Sequence, residues 1–323
     1  MNTIIFTGNS NIPLATQIAH HLGESLGKAK VAKFSDDETQ VSIDTSVRGK
    51  QVFVVQSTCQ PANDHIMELL IMLDAIKRSG PQSIVAVIPY FGYSRQDRRI
   101  GFSRTPITAS LAAHMIQAAG ADSVITMDLH AQQIQGFFEC QIVNITAKKL
   151  FIDHINKQYG RMDKESIIMV SPDVGGVTRT REIAQKVMNG VDLAIIDKRR
   201  PKANVSEVMN VIGDVQGKTC ILIDDIVDTA GTLCKAADAL IARGANEVIA
   251  YCTHAVLSGN AITNITDSKL SKLVVTNTIP MDSTKLLQLA DKIEILSTGS
   301  IFADTIRTIR SSESVSRLYT DEQ

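Results

Sequence analysis

ILIDDIVDTAGT, residues 221–232, is the most informative stretch of the chain. An apolar run reaches straight into two carboxylates, Asp224 and Asp225. Asp228, Thr229, Ala230, Gly231 and Thr232 follow, and an amphipathic run over 231–242 comes next. A continuously apolar run is what a strand buried on both faces requires. In open α/β sheets, ligands lie outside the carboxyl ends of strands. Small residues at 229–232 let backbone N–H groups approach an anion. The helix that starts there adds the positive end of its dipole, and the two threonine hydroxyls add donors. The loop is therefore expected to hold a terminal phosphate, with Asp224 and Asp225 placed for vicinal hydroxyls one sugar length away. That is the pattern of a pentose 5-phosphate. The competing reading is a capped helix with two solvated acids.

The same alternation extends outward. Strands are expected at 3–6, 52–56, 84–88, 124–127, 167–170, 193–196, 220–223, 247–251, 273–276 and 293–296. Amphipathic stretches such as 64–79, 105–119, 178–188 and 231–242 lie between them. Strand–helix alternation of this kind implies parallel sheets with right-handed crossovers, an α/β fold. VRGKQVFVVQS (47–57) echoes VQGKTCILIDD (215–225), and DAIKRSGPQSIVAV (74–87) echoes DALIARGANEVIAY (238–251). Whether by duplication or by shared helix–Gly–strand grammar, two similar α/β halves are expected, 1–150 and 151–323. The last stretch, 300–317, is helical in period and could return to pack on the first half.

The chain has 323 residues, enough for two domains. It is 44% hydrophobic and 21% charged, an ordinary globular balance that excludes disorder and disulfide scaffolds. The net charge of -1 gives no global field toward nucleic acid or membrane, so an anion site must be built locally. Aromatic residues make up 4%, which argues against base-stacking platforms for single strands. No signal peptide or membrane span is read, and cytoplasmic residence is expected. Five widely spaced cysteines without a CxxC pair suggest reduced, mostly buried thiols.

Four further segments carry chemistry. PYFGYSRQDRR (89–99) follows an expected strand. Arg95 can stack on a base or fork onto a phosphate, and Gln96 can read a base edge; a solvated charged loop is the alternative. Asp128 and His130 in MDLHAQQIQGFF, and Asp173 in SPDVGG, also follow apolar runs; a lone histidine is more often structural. DKRRPKANVSEV concentrates Lys198, Arg199, Arg200 and Lys202 in a loop expected over 198–206. It is either a solvated face or a closing cationic loop of the kind that stabilises charge during phosphoryl transfer. GDVQGKT (213–219) imitates a P-loop, but it is one residue short and precedes its strand, so it is rejected.

Taken together, the segments resemble one family over essentially the whole chain: the phosphate-activated bacterial and animal type of ribose-phosphate diphosphokinase. The resemblance rests on FSDDE (34–38), VRG (47–49), NDHIMELL (63–70), PYFGYSRQDRR, MDLHAQQIQGFF, SPDVGGVTRTR (171–181), DKRRPKANVSEVM (197–209), DDIVDTAGTLCKAADAL (224–240) and SGNA (258–261). It implies two similar parallel-sheet domains of type I phosphoribosyltransferase-like fold. The reaction it implies is transfer of the β,γ-diphosphoryl group of ATP to the 1-hydroxyl of ribose 5-phosphate. The family pattern makes Lys198 and Arg200 catalytic. ATP falls to Phe34, Asp36, Asp37, Glu38, Arg95 and Gln96. Ribose 5-phosphate falls to Arg200, Asp224, Asp225, Asp228, Thr229, Ala230, Gly231 and Thr232, and Mg²⁺ to His130 and Asp173. The 34–38 loop serves the nucleotide of a neighbouring subunit in this family, so a homo-oligomer, a hexamer, is implied. Inorganic phosphate and nucleoside diphosphates are the implied effectors. Two departures stand out: Asp37 where the family has Gly, and Ser110 where many members have Lys. A phosphoribosyltransferase would lack the SRQDRR and DKRRP segments. A non-catalytic synthetase-like subunit would have lost the cationic or the ribose loop.

Overall fold

The computed structural model describes residues 3–199 and 208–318. They divide into two compact units. Unit 1 holds the described residues up to Thr146, Thr278–Pro280 and those from Ser297 onward; unit 2 holds the described residues of Ala147–Asn277 and Met281–Leu296.

Unit 1 runs β1 (Thr3–Thr7), α1 (Ile12–His21), β2 (Ala29–Lys33), β3 (Thr39–Ile43), β4 (Gln51–Val55), α2 (Ala62–Lys77), β5 (Ser83–Ile88), α3 (Thr108–Ala119), β6 (Ser123–Met127) and β7 (Gln141–Ile145). Its main sheet is wholly parallel, in the order β1-β4-β5-β6-β7. The central strands β4, β5 and β6 are buried almost throughout, as their apolar runs require. β2 and β3 form a separate antiparallel hairpin. Asn11 caps α1 by accepting from Leu14 N, and Pro13 sits in the first turn, where no N–H is needed.

Unit 2 runs α4 (Lys148–Tyr159), β8 (Ile167–Ser171), α5 (Val177–Ala184), β9 (Asp192–Arg199), β10 (Val208–Ile212), β11 (Thr219–Val227), α6 (Gly231–Ala242), β12 (Glu247–Ala255), α7 (Ala261–Asp267), β13 (Lys272–Thr276), α8 (Ser283–Gln288) and β14 (Ile293–Leu296). Its seven strands lie in the order β10-β9-β8-β11-β12-β13-β14, parallel except for β10, which pairs antiparallel with β9. The winding reverses between β8 and β11, which makes a switch point there. After β14, α9 (Gly299–Arg310) packs on α1 within unit 1, and Arg310 forks onto Glu24 at 2.7 and 2.8 Å.

Several elements differ from the sequence reading. β11 extends through Val227, so Asp224 and Asp225 stand in the strand and not beyond it. β9 reaches Arg199, so Lys198 is strand, paired with Met209, where a loop was expected. The remainder of that expected loop, including Arg200 and Lys202, lies outside the described residues. The helix expected over 178–188 ends at Ala184, and the one over 300–317 ends at Arg310. β10 breaks the expectation of purely parallel sheets.

The echo between the halves has a shared hydrogen-bonded core. Gly49 N donates to Gly80 O at 2.9 Å and Gly217 N to Gly244 O at 2.8 Å, and all four glycines have positive φ. Gln82 N to Lys50 O and Asn246 N to Lys218 O repeat the next bond, at 2.8 and 2.9 Å. These bonds also occupy the Gly217 amide of the rejected P-loop imitation. All five cysteines are free thiols, four of them buried, and burial pushes Cys59 up to about 11 and Cys220 up to about 12. Among the described residues, no helix is long and apolar enough to cross a membrane.

Candidate active site

In unit 2, the carboxyl ends of β8, β9 and β11 bring Asp173, Lys198 and the 224–232 segment to one edge of the sheet, at the switch point. Asp225 is buried and Asp224 half-buried. Arg179, on α5, reaches Asp225 Oδ1 at 2.9 Å and Asp224 Oδ1 at 3.8 Å. Asp225 N donates to Asp224 Oδ1 at 2.9 Å. Burial first, and then the neighbouring Asp225 carboxylate, hold the Asp224 carboxyl well above the ordinary carboxylate range; Arg179 opposes the rise.

The turn into α6 is strained. Ala230, its N-cap, is left-handed at φ 58°, which costs a residue with a Cβ about 1–2 kcal/mol. Gly231 is not left-handed, and a Cβ built on it would meet nothing closer than 3.9 Å. The fold itself does not demand glycine there; an occupant of the space above it would. No side chain caps α6, and Thr229 and Thr232 are exposed. A nascent helix with uncapped amides, an open glycine and two hydroxyls is a cradle for an anion.

Three groups that the sequence reading did not single out hold this turn. Ser258 Oγ donates to Asp228 Oδ1 and Ser258 N to Asp228 O, the latter at 3.1 Å. Val256 N and Leu257 N donate to Val227 O at 3.0 and 3.2 Å. Asn264 Nδ2 donates to Thr229 O at 2.8 Å. Ser258 opens the SGNA segment, and Arg179 lies in SPDVGGVTRTR, so both were visible as motif without a role. Asn264 had no sequence signal.

After β8, Asp173 turns its Oδ1 to Gly176 N at 2.8 Å and stays exposed, while Ser171 Oγ donates to Asp173 O at 2.6 Å. A Cβ on Gly176 would lie 2.9 Å from Ser171 Oγ, so this glycine is required by close approach.

In unit 1, the loops after the neighbouring strands β5 and β6 share one sheet edge. Arg95 and Gln96 are exposed there, as is His130. Gln96 Oε1 accepts from Thr108 Oγ1, so its amide is already oriented. Tyr93, left-handed at φ 63°, donates through its hydroxyl to Asn63, and Gln133 Nε2 donates to Asp97 Oδ2 at 2.5 Å. A Cβ on Gly92 would stand 2.3 Å from Thr58 O, which ties this loop to the end of β4. Asp128 is left-handed at φ 39° and turns the chain toward His130.

Residues 34–38 form the tip of the β2–β3 hairpin. Phe34 N donates to Glu38 O at 2.8 Å, Asp37 N to Phe34 O at 3.1 Å, and Glu38 N to Asp36 Oδ1 at 3.2 Å. Asp37 is left-handed at φ 68°, the conformation for which glycine carries no penalty and which aspartate tolerates better than most residues. Asp37 therefore makes the bend at the hairpin tip without a glycine. Phe34 is 51% exposed, beside the exposed Asp36 and Glu38. Among the described residues no group of three or more His, Cys, Asp or Glu side chains gathers as a metal cage.

Two family models match the chain: the N-terminal domain of ribose phosphate pyrophosphokinase over residues 3–120, and the phosphoribosyl synthetase-associated domain over residues 174–320. A ribose-phosphate pyrophosphokinase of Xanthomonas axonopodis pv. citri is 56% identical over 320 residues, covering 99% of this chain and 98% of the relative. One from Xylella fastidiosa (strain Temecula1) is 55% identical over the same length and coverage. The crystal structure of a phosphoribosylpyrophosphate synthetase from Mycobacterium smegmatis superimposes with a TM-score of 0.89 at 38% identity, covering 97% of this chain and all of that one. Its type I phosphoribosyltransferase-like α/β units, its switch-point loop and these relatives agree: the chain belongs to the ribose-phosphate pyrophosphokinase family of enzymes.

Proposed function

We propose that the protein transfers the β,γ-diphosphoryl group of ATP to ribose 5-phosphate, releasing AMP and 5-phosphoribosyl 1-diphosphate. The observation that carries this reading is the left-handed Ala230 beside an open Gly231, at the switch point of the unit 2 sheet. The 5-phosphate is gripped by the amides and hydroxyls of Asp228–Thr232, and the ring hydroxyls are met by Asp224 and Asp225. Arg95 and Gln96 bind ATP on unit 1. Phe34, Asp36, Asp37 and Glu38 complete the nucleotide site of a neighbouring copy, which makes the enzyme a homo-oligomer, a hexamer by family pattern. The exposed aromatic among exposed carboxylates at the hairpin tip supports that assignment.

The anomeric oxygen attacks the β-phosphorus in line; the bond to the α-phosphate bridging oxygen breaks and AMP leaves. Lys198 and Arg200 neutralise the non-bridging oxygens as charge spreads over them. No covalent intermediate is required, because positioning and fixed charge suffice. Mg²⁺, bound to the triphosphate, would supply further charge neutralisation. Such an ion takes one or two protein ligands, with phosphates and water completing its shell. The exposed Asp173 carboxylate suits that donor set, and the exposed His130 is the second candidate. The protein resides in the cytoplasm and responds to inorganic phosphate and nucleoside diphosphates, with Ser110 on α3 altering that response.

The test is AMP formation from ATP, measured with and without ribose 5-phosphate. Wild type should form AMP only with the sugar present. Lys198→Ala should lower kcat by about 10²–10³, the usual loss for one electrostatic contact to the transition state. A phosphoribosyltransferase would form no AMP and would instead release pyrophosphate from 5-phosphoribosyl 1-diphosphate and a base, without ATP.

A further inference from the structure

We infer that Asn264 is a positioning residue for the sugar-phosphate loop, holding the Thr229–Ala230 peptide in its anion-binding orientation. The inference rests on the proposed function and deepens it. Ala230 occupies a left-handed conformation that an alanine leaves when nothing restrains it. Its own helix offers one restraint, Cys234 N to Ala230 O at 2.9 Å. The restraint on the other side comes from a different element. Asn264 projects from α7 and donates Nδ2–H to Thr229 O at 2.8 Å.

In a trans peptide the C=O and the N–H point in opposite directions. Pinning the Thr229 carbonyl toward α7 therefore aims the Ala230 N–H away from it. Asn264 thus sets the direction of one of the loop's amide donors without needing to touch the ligand. Its Nδ2 also stands 3.9 Å from where a Cβ on Gly231 would be, at the border of the open space above that glycine. Ser258 restrains the previous residue, Asp228, through both its hydroxyl and its N–H. The 256–264 segment is therefore a clamp, and α7 is part of the phosphate site although it supplies none of the residues of the DTAGT motif.

Steady-state AMP formation with each substrate varied, alongside thermal unfolding, separates this role from a structural one. Asn264→Ala should raise KM for ribose 5-phosphate about tenfold, equivalent to about 1.4 kcal/mol. KM for ATP should stay within about twofold and the melting temperature within about 3 °C, because one hydrogen bond at a loop is lost. Adding Ala230→Gly should return KM for ribose 5-phosphate to within about threefold of wild type, since glycine adopts the left-handed conformation without a clamp. Ser258→Ala, which leaves α7 intact, should raise the same KM in the same direction. The inference is overturned if Asn264→Ala leaves that KM unchanged, if both KM values rise together with a falling melting temperature, or if Ala230→Gly rescues nothing. Absence of sugar-dependent AMP formation by wild type would instead overturn the proposed function, and the inference with it.

Discussion

β4 in unit 1 and β11 in unit 2 are counterparts that end differently. Behind each strand lies the same left-handed glycine pair and the same backbone hydrogen bond. Around each the parallel order is the same, β1-β4-β5-β6-β7 against β8-β11-β12-β13-β14. At the carboxyl end, unit 2 presents Asp224 and Asp225 and then the open turn. In the echoing positions unit 1 has Gln56 and Ser57, both fully buried. Gln56 Oε1 accepts from Ser10 N and Oγ at 3.1 and 2.7 Å, while its Nε2 donates to His65 O at 3.2 Å and to Glu68 Oε2 at 2.8 Å. Ser57 Oγ donates to Thr278 O at 2.6 Å. A buried polar strand end must have its partners. Unit 1 finds them in its own chain and closes. Unit 2 pairs its two carboxylates with Arg179 and leaves the turn into α6 open, with no side-chain cap on that helix. The units also differ in their hairpins. In unit 1 the β2–β3 hairpin stands apart from the sheet, whereas β9 and β10 join theirs and create the switch point.

Filling the open end should have the largest effect. Gly231→Val meets no protein atom at its Cβ closer than 3.9 Å. It should raise KM for ribose 5-phosphate by about 100-fold or more, the loss of two charge-assisted hydrogen bonds. The melting temperature should move by less than about 3 °C. An unchanged KM would remove the distinction between open and closed ends.

Filling the closed end should act on stability instead. A Cβ on Gly8 would stand 2.4 Å from Gln56 Oε1. The amide could swing aside only by surrendering its bonds to Ser10, His65 and Glu68. Gly8→Ala should therefore cost about 2 kcal/mol in urea unfolding. A neutral result would mean that the network is looser than its distances indicate.

The third contrast is in pH. Burial and Asp225 raise the Asp224 carboxyl above its unfolded value. Between those two values the folded protein binds more protons than the unfolded chain, so this group's contribution to stability falls as pH rises. Asp224→Asn removes the titration and makes the position neutral, as Gln56 is in unit 1. Thermal melts of the apoprotein should show the variant gaining steadily on wild type as pH rises from about pH 5 to about pH 9. A constant difference across that range would contradict the raised carboxyl.

Most of the strands legible in the sequence are buried on both faces: of those anticipated, β1, β4–β6, β8 and β11–β13 are, while β9 and β14 are only partly buried. β2, β3, β7 and β10 escaped, and the reason is their place in the fold. β2, β3 and β7 are only partly buried along their length, so they carry no continuous apolar run. β10 is an edge strand whose pairing partner is β9. At the candidate site, DTAGT announced itself because phosphate cradles need small residues next to a strand. Asn264 could not, since an asparagine on a helix is common and its partner is 35 residues away. Nor could the sequence show that Ala230, and not Gly231, is the left-handed residue of DTAGT, held by bonds from a distant segment.

The order of apolar runs, the carboxylates that interrupt them and the small residues that follow were properties of the sequence alone, because burial and local turn geometry act over a few neighbours. Which strand end stays open, which residue bears the backbone strain and which side chains restrain it were settled only in three dimensions. Those outcomes depend on hydrogen bonds between segments far apart in the chain, and their energies appear only once the sheet has brought the segments together.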